Sequence, residues 1–363
     1  METTRMLWFL LVALAGLLPA TTRADEVTEW NRIMFAAALQ AVPPTSPLVM
    51  GRNAAIVQAS VFDAVNGIER RYSPIHVPPA APAGASRRAA AVQAAYAALV
   101  RLYPSQQTAL AQQLQASLAA ISSGAAAEHS VSIARGIAWG QAVADAIWAW
   151  RSTDGFSPAP PPFTGGTAVG EWRPTPPAFL PGAGPQFAYM TPWVILSPSQ
   201  FRPLGPPALD SSRYTADFLE TKSMGSFSSS TRTADQTLAS LFWNASTASY
   251  YWDTIAVSLA AQRHTTLSEN ARLLALLNVA MADAAIACWE AKYHYVAWRP
   301  VTAIPLAATD GNDDTSADPA WMPLFATPAH PDIPQAIRRS VARPQPCLRI
   351  TLAKQLPSAW VPT

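Results

Sequence analysis

The chain has 363 residues, of which 50% are hydrophobic and 13% are charged. This composition excludes an intrinsically disordered chain and supplies enough apolar material for a large buried core. The formal net charge of +2 gives no indication of a nucleic-acid partner. The two cysteines, Cys288 and Cys347, do not indicate a Cys/His metal site, although they could pair in an oxidising compartment.

The first 24 residues resemble a signal peptide. Arg5 provides positive charge, residues 7–18 form an apolar run, and residues 22–24 provide a cleavage site. The run is too short for a transmembrane helix, and Pro19 ends it. We therefore expect export to the periplasm or the extracellular space, with a buried N-terminal helix as the alternative. No later segment is both long enough and free enough of polar residues to predict a membrane span.

Apolar residues recur at helical spacing through much of the chain. The last predicted helix begins with Thr266 and Glu269, a capping box in which each side chain binds the other residue's backbone amide. Few segments alternate with period two, so strands should be minor and the predicted fold class is all-α. In chain order the predicted helices cover residues 53–68, 89–121 as a pair broken near Pro104, 131–150, 233–245, 250–263 and 268–298.

A proline-rich loop, residues 158–207, separates the predicted helices. Its 50 residues include 14 prolines together with seven Phe, Trp and Tyr residues. A flexible linker would instead be rich in Gly and Ser and poor in aromatics. Aromatic side chains can pin a long loop onto a scaffold, where such loops often form the wall of a site. An irregular connector that merely packs is the alternative.

The segment from Trp289 to Pro300 carries two basic residues at a spacing suited to anion binding. Lys292 and Arg299 are seven residues apart, so on one helix they would leave the same face about 10 Å apart along the axis, with Trp289 one turn earlier. Pro300 ends the helix and disfavours helical geometry at Arg299. Arg provides a planar fork and Lys a point charge for one oxyanion. Taken alone, the pair could equally be a solvated helix face.

A lysine followed, after six further residues, by Arg-Pro is also the first of three motifs shared by the vanadium haloperoxidases and the type 2 phosphatidic acid phosphatases. Four further segments resemble bacterial vanadium-dependent haloperoxidases. They are residues 27–31 (Val-Thr-Glu-Trp-Asn), 60–66 (Ser-Val-Phe-Asp-Ala-Val-Asn), 201–203 (Phe-Arg-Pro) and 232–237 (Arg-Thr-Ala-Asp-Gln-Thr). The resemblance covers residues 25–332 in order, and it is specific through the combination of these segments.

The resemblance implies a helical-bundle fold of the haloperoxidase and acid phosphatase type. In intact relatives the cofactor is vanadate, whose oxygens are neutralised by basic side chains and whose vanadium is bound by one histidine. The partners are then hydrogen peroxide and a halide, or a small phosphate ester in the phosphatase branch. By this resemblance Lys292 and Arg299 would bind the oxyanion, and Trp289 would line the halide side. His330 would be either a pocket residue or a loop histidine.

The resemblance breaks at residue 333. The second family motif, Pro-Ser-Gly-His, supplies a hydroxyl, a backbone amide and an acid-base histidine. Here Pro334 fits, but Gln335, Ala336 and Ile337 stand where Ser, Gly and His are expected. The third motif, with the histidine that binds vanadium, would lie further downstream and is also expected to be missing. No intact set of catalytic residues is therefore expected.

A change of reading frame explains this break. Residues 333–346 admit codons that read Tyr-Pro-Ser-Gly-His when one base is restored ahead of them. Residues 333–363 also carry five basic residues and no acid, which suits an out-of-frame reading. Subtracting this +5 and the +1 of residues 1–24 from +2 leaves −4 over residues 25–332. A genuine basic tail that binds a partner is the alternative.

The predicted organisation is a signal peptide over residues 1–24, a haloperoxidase-like helical domain over 25–332 and an out-of-frame or divergent tail over 333–363. Three functional interpretations follow from it. The first is a vanadium haloperoxidase-like protein that is inactive as written. The second is a phosphoesterase of the same superfamily, and the third is a non-catalytic exported helical protein. We further expect the tail to be poorly ordered, because it lacks apolar periodicity matched to the fold.

Overall fold

A computed structural model describes residues 25–332, and within them the fold is all-α, as predicted. Isolated β-bridges are the only extended pairings in this part of the chain. Three short 3-10 helices lie at Pro104–Gln106, Pro185–Ala188 and Ala307–Thr309. The α-helices are α1 (Glu26–Gln40), α2 (Pro47–Glu69), α3 (Arg87–Leu102), α4 (Gln107–Ile121), α5 (Ser130–Arg151), α6 (Ser212–Met224), α7 (Ala234–Asn244), α8 (Ala248–Arg263), α9 (Leu267–Tyr295) and α10 (Pro300–Ala303).

Helix α2 is the centre of the bundle and packs against α3, α5 and α9. Every residue from Met50 to Gly67 is buried, so the helix has no solvent face. Its buried polar side chains are bonded rather than isolated: the Asp63 carboxylate, for example, accepts the backbone N–H groups of Ile75, His76 and Val77, each at 2.8 Å. These bonds hold residues 75–77, which follow α2, against that helix.

Close packing of α3 against α5 depends on two glycines. A Cβ atom at Gly136 would lie 2.4 Å from the Ser86 carbonyl oxygen, and one at Gly140 would lie 2.4 Å from the Ala90 carbonyl oxygen. Both contacts are shorter than carbon and oxygen can tolerate without movement of the backbone. Only glycine at these positions allows the alanine-rich face of α3 to approach α5 so closely.

Helix α9 is the longest helix and carries the predicted site at its C-terminal end. The predicted capping box is confirmed: Glu269 N–H donates to Thr266 Oγ1 at 3.4 Å, and Thr266 N–H donates to Glu269 Oε2 at 2.9 Å. By length and composition alone this helix could cross a membrane, contrary to the sequence-based expectation. However, 61% of its most apolar stretch is buried inside the protein, which is the pattern of a core helix.

The proline-rich loop is fastened to the bundle at several points. Trp172 is fully buried. The Asp283 carboxylate of α9 accepts the backbone N–H groups of Trp193, Val194 and Ile195 at 2.6–3.0 Å. Arg202 forms an ion pair with Glu290, also on α9. The loop therefore covers the side of α9 that leads to Lys292 and Arg299.

Candidate oxyanion site

The chain reverses direction between the two predicted anion-binding residues. Helix α9 ends at Tyr295, and Val296 follows in the left-handed conformation with φ 50°. Ala297 then forms antiparallel bridges with Glu171 on one side and Asp332 on the other. Arg299 is extended, with φ −91° and ψ 153°, and Pro300 starts the short helix α10. The predicted effect of Pro300 on Arg299 is confirmed.

The expectation that Lys292 and Arg299 share one helix face is wrong. The helix was predicted to continue to residue 298, but it ends three residues earlier because the chain leaves helical geometry at Val296. Backbone bonds from outside the helix hold this turn: Trp172 N–H donates to the Val296 carbonyl at 2.7 Å, and Trp298 N–H to the Gly170 carbonyl at 2.9 Å. The two cations meet through this reversal of the chain and not through helical periodicity.

Lys292 and Arg299 converge on one atom, the Nδ1 nitrogen of His330. The distance from this nitrogen is 3.3 Å to Lys292 Nζ and 2.6 Å to Arg299 Nη2. Arg299 Nε also donates to the His330 carbonyl at 2.8 Å. Lys292 is buried, with 5% of its surface exposed. The two cationic side chains therefore approach the same ring nitrogen, and water has little access to Lys292.

Trp289 forms the apolar side of this site. Lys292 Nζ lies 4.1 Å from the centre of an indole ring, as expected for residues one helical turn apart, and the indole lies 4.9 Å from the His330 ring. The indole N–H donates to the Ala183 carbonyl at 3.0 Å. Tyr293 donates to the same carbonyl at 2.8 Å, so the loop that faces the site is held from two positions.

His330 lies against Lys292, Arg299 and the indole of Trp289. Burial, Lys292 and Arg299 together lower its pKa to about 2, so the ring is neutral at physiological pH. His330 Nδ1 also lies 3.0 Å from the Pro331 carbonyl oxygen, and His330 Nε2 lies 3.2 Å from Arg299 Nη2. A neutral imidazole has one unprotonated ring nitrogen, so the ring between the two cations can accept a hydrogen bond but carries no negative charge.

Two acidic residues beside the cations were not assigned a role from sequence. Asp332 Oδ1 lies 3.6 Å from Arg299 Nη1, and the Asp332 N–H donates to the Ala297 carbonyl at 2.9 Å. Glu290 is adjacent to the site on α9 and is paired with Arg202 of the proline-rich loop. Arg202 belongs to a segment that carried the family resemblance, which was the only sequence signal for this contact.

Several predictions fall outside the described residues. Gln335, Ala336 and Ile337, the order of the tail, Cys347 and the signal peptide all lie in residues 1–24 or 333–363. Cys288 is buried in α9. Between residues 25 and 332, no group of three or more His, Cys, Asp and Glu side chains could hold a metal ion.

Comparison with known proteins shows the same fold. A family profile described as the VCPO second helical-bundle domain matches residues 272–342, which include Trp289, Lys292, Arg299 and His330. Among solved structures, the first bacterial vanadium-dependent iodoperoxidase is similar with a TM-score of 0.70 and 24% identity, over 85% of this chain and 76% of that chain. No curated protein matches the chain.

Two bacterial vanadium-dependent chloroperoxidase structures are similar at lower identity. The holo-type structure has a TM-score of 0.58 and 15% identity, over 85% of this chain and 77% of that chain. The apo-type structure has a TM-score of 0.52 and 17% identity, over 76% and 69%. These structures share the helical fold of this chain, and the family profile matches its residues 272–342.

Proposed function

We propose that Lys292 and Arg299 form an oxyanion-binding site of the vanadium haloperoxidase type, with vanadate or phosphate as the ligand. The observation that carries this proposal is the convergence of both cations on one acceptor atom, His330 Nδ1, at 3.3 and 2.6 Å. An oxyanion oxygen accepts hydrogen bonds as this nitrogen does and adds a negative charge. Replacing the imidazole lone pair by such an oxygen therefore strengthens both interactions.

Lys292 and Arg299 fit the negatively charged oxygens of vanadate. Burial of Lys292 and the 12% exposure of the Arg299 side chain reduce screening by water, so attraction to an anion is stronger than on an open surface. Trp289 provides an apolar wall, which suits a weakly hydrated halide. Vanadate, when bound, supplies the activation of peroxide that halide oxidation requires. In this proposal Lys292 and Arg299 hold its oxygens, and His330 is a pocket residue beside them.

We infer that the chain as written binds the oxyanion but does not turn over substrate. Gln335, Ala336 and Ile337 provide neither the hydroxyl nor the acid-base imidazole that the family motif supplies. Loss of one member of a catalytic unit commonly reduces the rate by several powers of ten. Halide oxidation and hydrolysis of a phosphate ester, the activity of the phosphatase alternative, should therefore both be absent.

Calorimetric titration with orthovanadate and with phosphate tests the binding proposal. Lys292→Ala should abolish measurable binding, and Arg299→Lys should weaken it almost as much as Arg299→Ala because the planar two-donor contact is lost while the charge is kept. Lys222→Ala is the matched control, since that lysine is partly exposed and bonded to Ser316. Equal affinity in the parent chain and all three site variants would disprove the proposed role of the pair.

The inactivity is tested by monochlorodimedone halogenation with vanadate, peroxide and bromide, and by nitrophenyl phosphate hydrolysis. Turnover above that of Lys292→Ala in either assay would contradict it. Restoring one base near codon 333, together with the downstream reading frame, should yield halide oxidation that depends on Lys292 and Arg299. A repaired protein that hydrolyses phosphate esters and oxidises no halide would favour the phosphatase interpretation. Continued inactivity with confirmed folding would favour a non-catalytic exported protein.

A further inference from the structure

Helix α7 presents a row of large apolar side chains to solvent. Leu238, Leu241 and Phe242 lie at helical spacing and are 66%, 50% and 49% exposed. No side chain of this 11-residue helix is buried. A helix of a soluble protein normally buries such a row, and a helix of this length is marginal on its own in water. Residues 25–332 therefore leave the apolar side of α7 uncovered.

Helix α8 extends this uncovered surface. Ile255 and Leu259, one turn apart, are 39% and 50% exposed. Tyr251, one turn before Ile255, contacts Phe242 of α7 with 4.7 Å between the ring centres. The rows on the two helices therefore join into one surface. We name it the hairpin face and define it by six side chains: Leu238, Leu241, Phe242, Tyr251, Ile255 and Leu259.

The hairpin face is large for a surface that stays in contact with water. With roughly 200 Å² for each large apolar side chain, its exposed fractions amount to about 500 Å². The largest apolar patch on a monomer is roughly 300 to 600 Å², and a stable interface buries roughly 800 Å² on each partner. The hairpin face is thus large enough for the apolar centre of an interface. Exposed Thr254, Ser258 and Gln262 of α8 provide an uncharged polar rim.

The segment that carries the hairpin face contains few charges. From Ala234 to Gln262 the only charged residues are Asp235 and Asp253, and Asp253 is fully buried. Asp235 lies in the first turn of α7, at the edge of the face. Few charges and several aromatic residues, here within residues 242–252, are typical of interface centres. Two copies of this face can therefore meet across a two-fold axis without like charges opposed at the centre.

We propose that the hairpin face is the interface of a homodimer, in which it packs against the same face of a second copy. Because α7 buries nothing within residues 25–332, its partner has to be present whenever the chain is folded, and a second copy meets this requirement. Residues 333–363 fit less well, since their five basic residues would meet one exposed carboxylate, that of Asp235. The association does not involve Lys292 or Arg299, so it goes beyond the proposed oxyanion function.

Sedimentation equilibrium of the full chain between about 1 and 100 µM tests the proposal. The parent should be a dimer at the upper concentrations. Leu241→Glu and Leu259→Glu should each weaken dimerisation at least a hundredfold, because each places a carboxylate from both copies in the apolar interface. Val131→Glu, at a 59% exposed position of α5, is the matched control and should dimerise as the parent does.

Hydrogen exchange distinguishes a second copy from any other cover of the hairpin face. The amides of α7 should be protected at about 100 µM and exchange quickly at about 1 µM, because dilution separates the copies. A monomer with α7 protected at every concentration would overturn the proposal and indicate cover by residues 333–363. A monomer with α7 unprotected at about 100 µM, or dimerisation unchanged in both glutamate variants, would overturn it as well.

Vanadate titration of the glutamate variants keeps this proposal separate from the oxyanion function. Leu241→Glu and Leu259→Glu should bind vanadate as the parent does, which also shows that both variants are folded. Lys292→Ala should lose vanadate binding and still dimerise. A parent chain that binds vanadate as a monomer at about 100 µM would overturn the dimer and leave the oxyanion function in place.

Discussion

Two places in the molecule bring two cationic side chains to one acceptor, and they differ in the acceptor. In the core, Arg52 and Arg151 both donate to the Asp154 carboxylate, at 2.9 and 3.0 Å, and Arg151 also donates to the carbonyls of Thr191 and Pro192. At the oxyanion site, Lys292 and Arg299 share the neutral ring of His330. A carboxylate completes a fixed structural network, whereas a neutral nitrogen is an acceptor that an anion can replace with a gain in attraction.

The largest effect is expected when the core acceptor loses its charge. Asp154→Asn should lower the free energy of unfolding by about 3 to 5 kcal/mol, because it leaves two buried guanidinium groups without their carboxylate. Lys292→Met, at the oxyanion site, should change stability by no more than about 1 kcal/mol. Urea denaturation of both variants measures the difference. Similar losses in the two variants would remove the distinction between a structural and a ligand-binding cluster.

Asp253 is a buried carboxylate whose neighbours are amides rather than cations, and its effect on stability should depend on pH. Burial raises its pKa to about 7, against the opposing hydrogen bonds of Asn278 and Asn31. The folded state therefore holds the proton more tightly than the unfolded chain, and stability should fall as pH rises from about 4 to 7. Asp253→Asn should match the parent at pH 4 and exceed it at pH 8 by about 2 to 4 kcal/mol.

Denaturation of both proteins across this range measures the effect of Asp253. The matched control is Asp283→Asn, at a carboxylate that accepts three backbone N–H groups. Burial raises the pKa of Asp283 as well, but an Asn side chain cannot accept all three N–H groups, so that variant should be less stable than the parent at pH 8. A parent protein whose stability rises from pH 4 to 7, relative to Asp253→Asn, would contradict the assigned direction.

His330 should make the stability depend on pH in the opposite direction. Its lowered pKa means that the folded state binds the proton less tightly than the unfolded chain. This contribution to stability is complete above the ordinary histidine pKa of about 6.5 and is lost as pH falls below it. Between pH 7 and 5 the parent should lose about 2 kcal/mol more than His330→Gln.

Bound phosphate should change the pH dependence that His330 causes, which gives a second measurement. An anion beside the two cations offsets their charge, so saturating phosphate should reduce the loss of stability between pH 7 and 5. The comparison of parent and His330→Gln, each with and without phosphate, measures this. If phosphate leaves the pH dependence of the parent unchanged, the anion does not lie between the two cations and the ring.

The smallest effect concerns the turn that separates the two cations. Val296 has a left-handed backbone, which is strained for a β-branched residue. Val296→Gly should relieve the strain and raise the free energy of unfolding by about 0.5 to 1 kcal/mol, with part of the gain offset by the freedom of glycine in the unfolded chain. Ala297→Gly, in the extended bridge segment, is the control and should lower stability. Thermal unfolding measures both variants, and destabilisation by Val296→Gly would show that the turn is not strained.

The sequence predicted helices in which apolar residues recur at helical spacing, such as α2, and helices with a clear start signal, such as α9 with Thr266 and Glu269. It missed α1 and α6. Helix α1 is buried over much of its circumference, including Trp30 and Asn31. The buried positions of α6 have helical spacing, but two of them are polar, namely Asp217 and Thr221. Neither helix therefore shows a clean apolar periodicity in the sequence.

For the site, the sequence correctly brought together Trp289, Lys292 and Arg299 but gave the wrong geometric reason. Nothing local predicts that Val296 adopts a left-handed backbone, because valine disfavours it. The bonds that impose it come from Gly170 and Trp172, more than 100 residues earlier in the chain. The position of His330 likewise depends on Ala183, whose N–H donates to the Ala329 carbonyl at 2.6 Å, and on the bridge at Asp332. Tertiary contacts of this kind have no signature in the pattern of a single segment.

Helix α7 differs from its neighbours in having no buried residue along its 11 positions. An isolated helix of this length is marginal in water, so it depends on the capping box of Thr233 and Gln236 and on the contact between Phe242 and Tyr251, whose ring centres are 4.7 Å apart. Its amide hydrogens should therefore exchange with solvent through local opening, long before those of α2. The bundle thus carries a helix whose folding is only loosely coupled to that of the core.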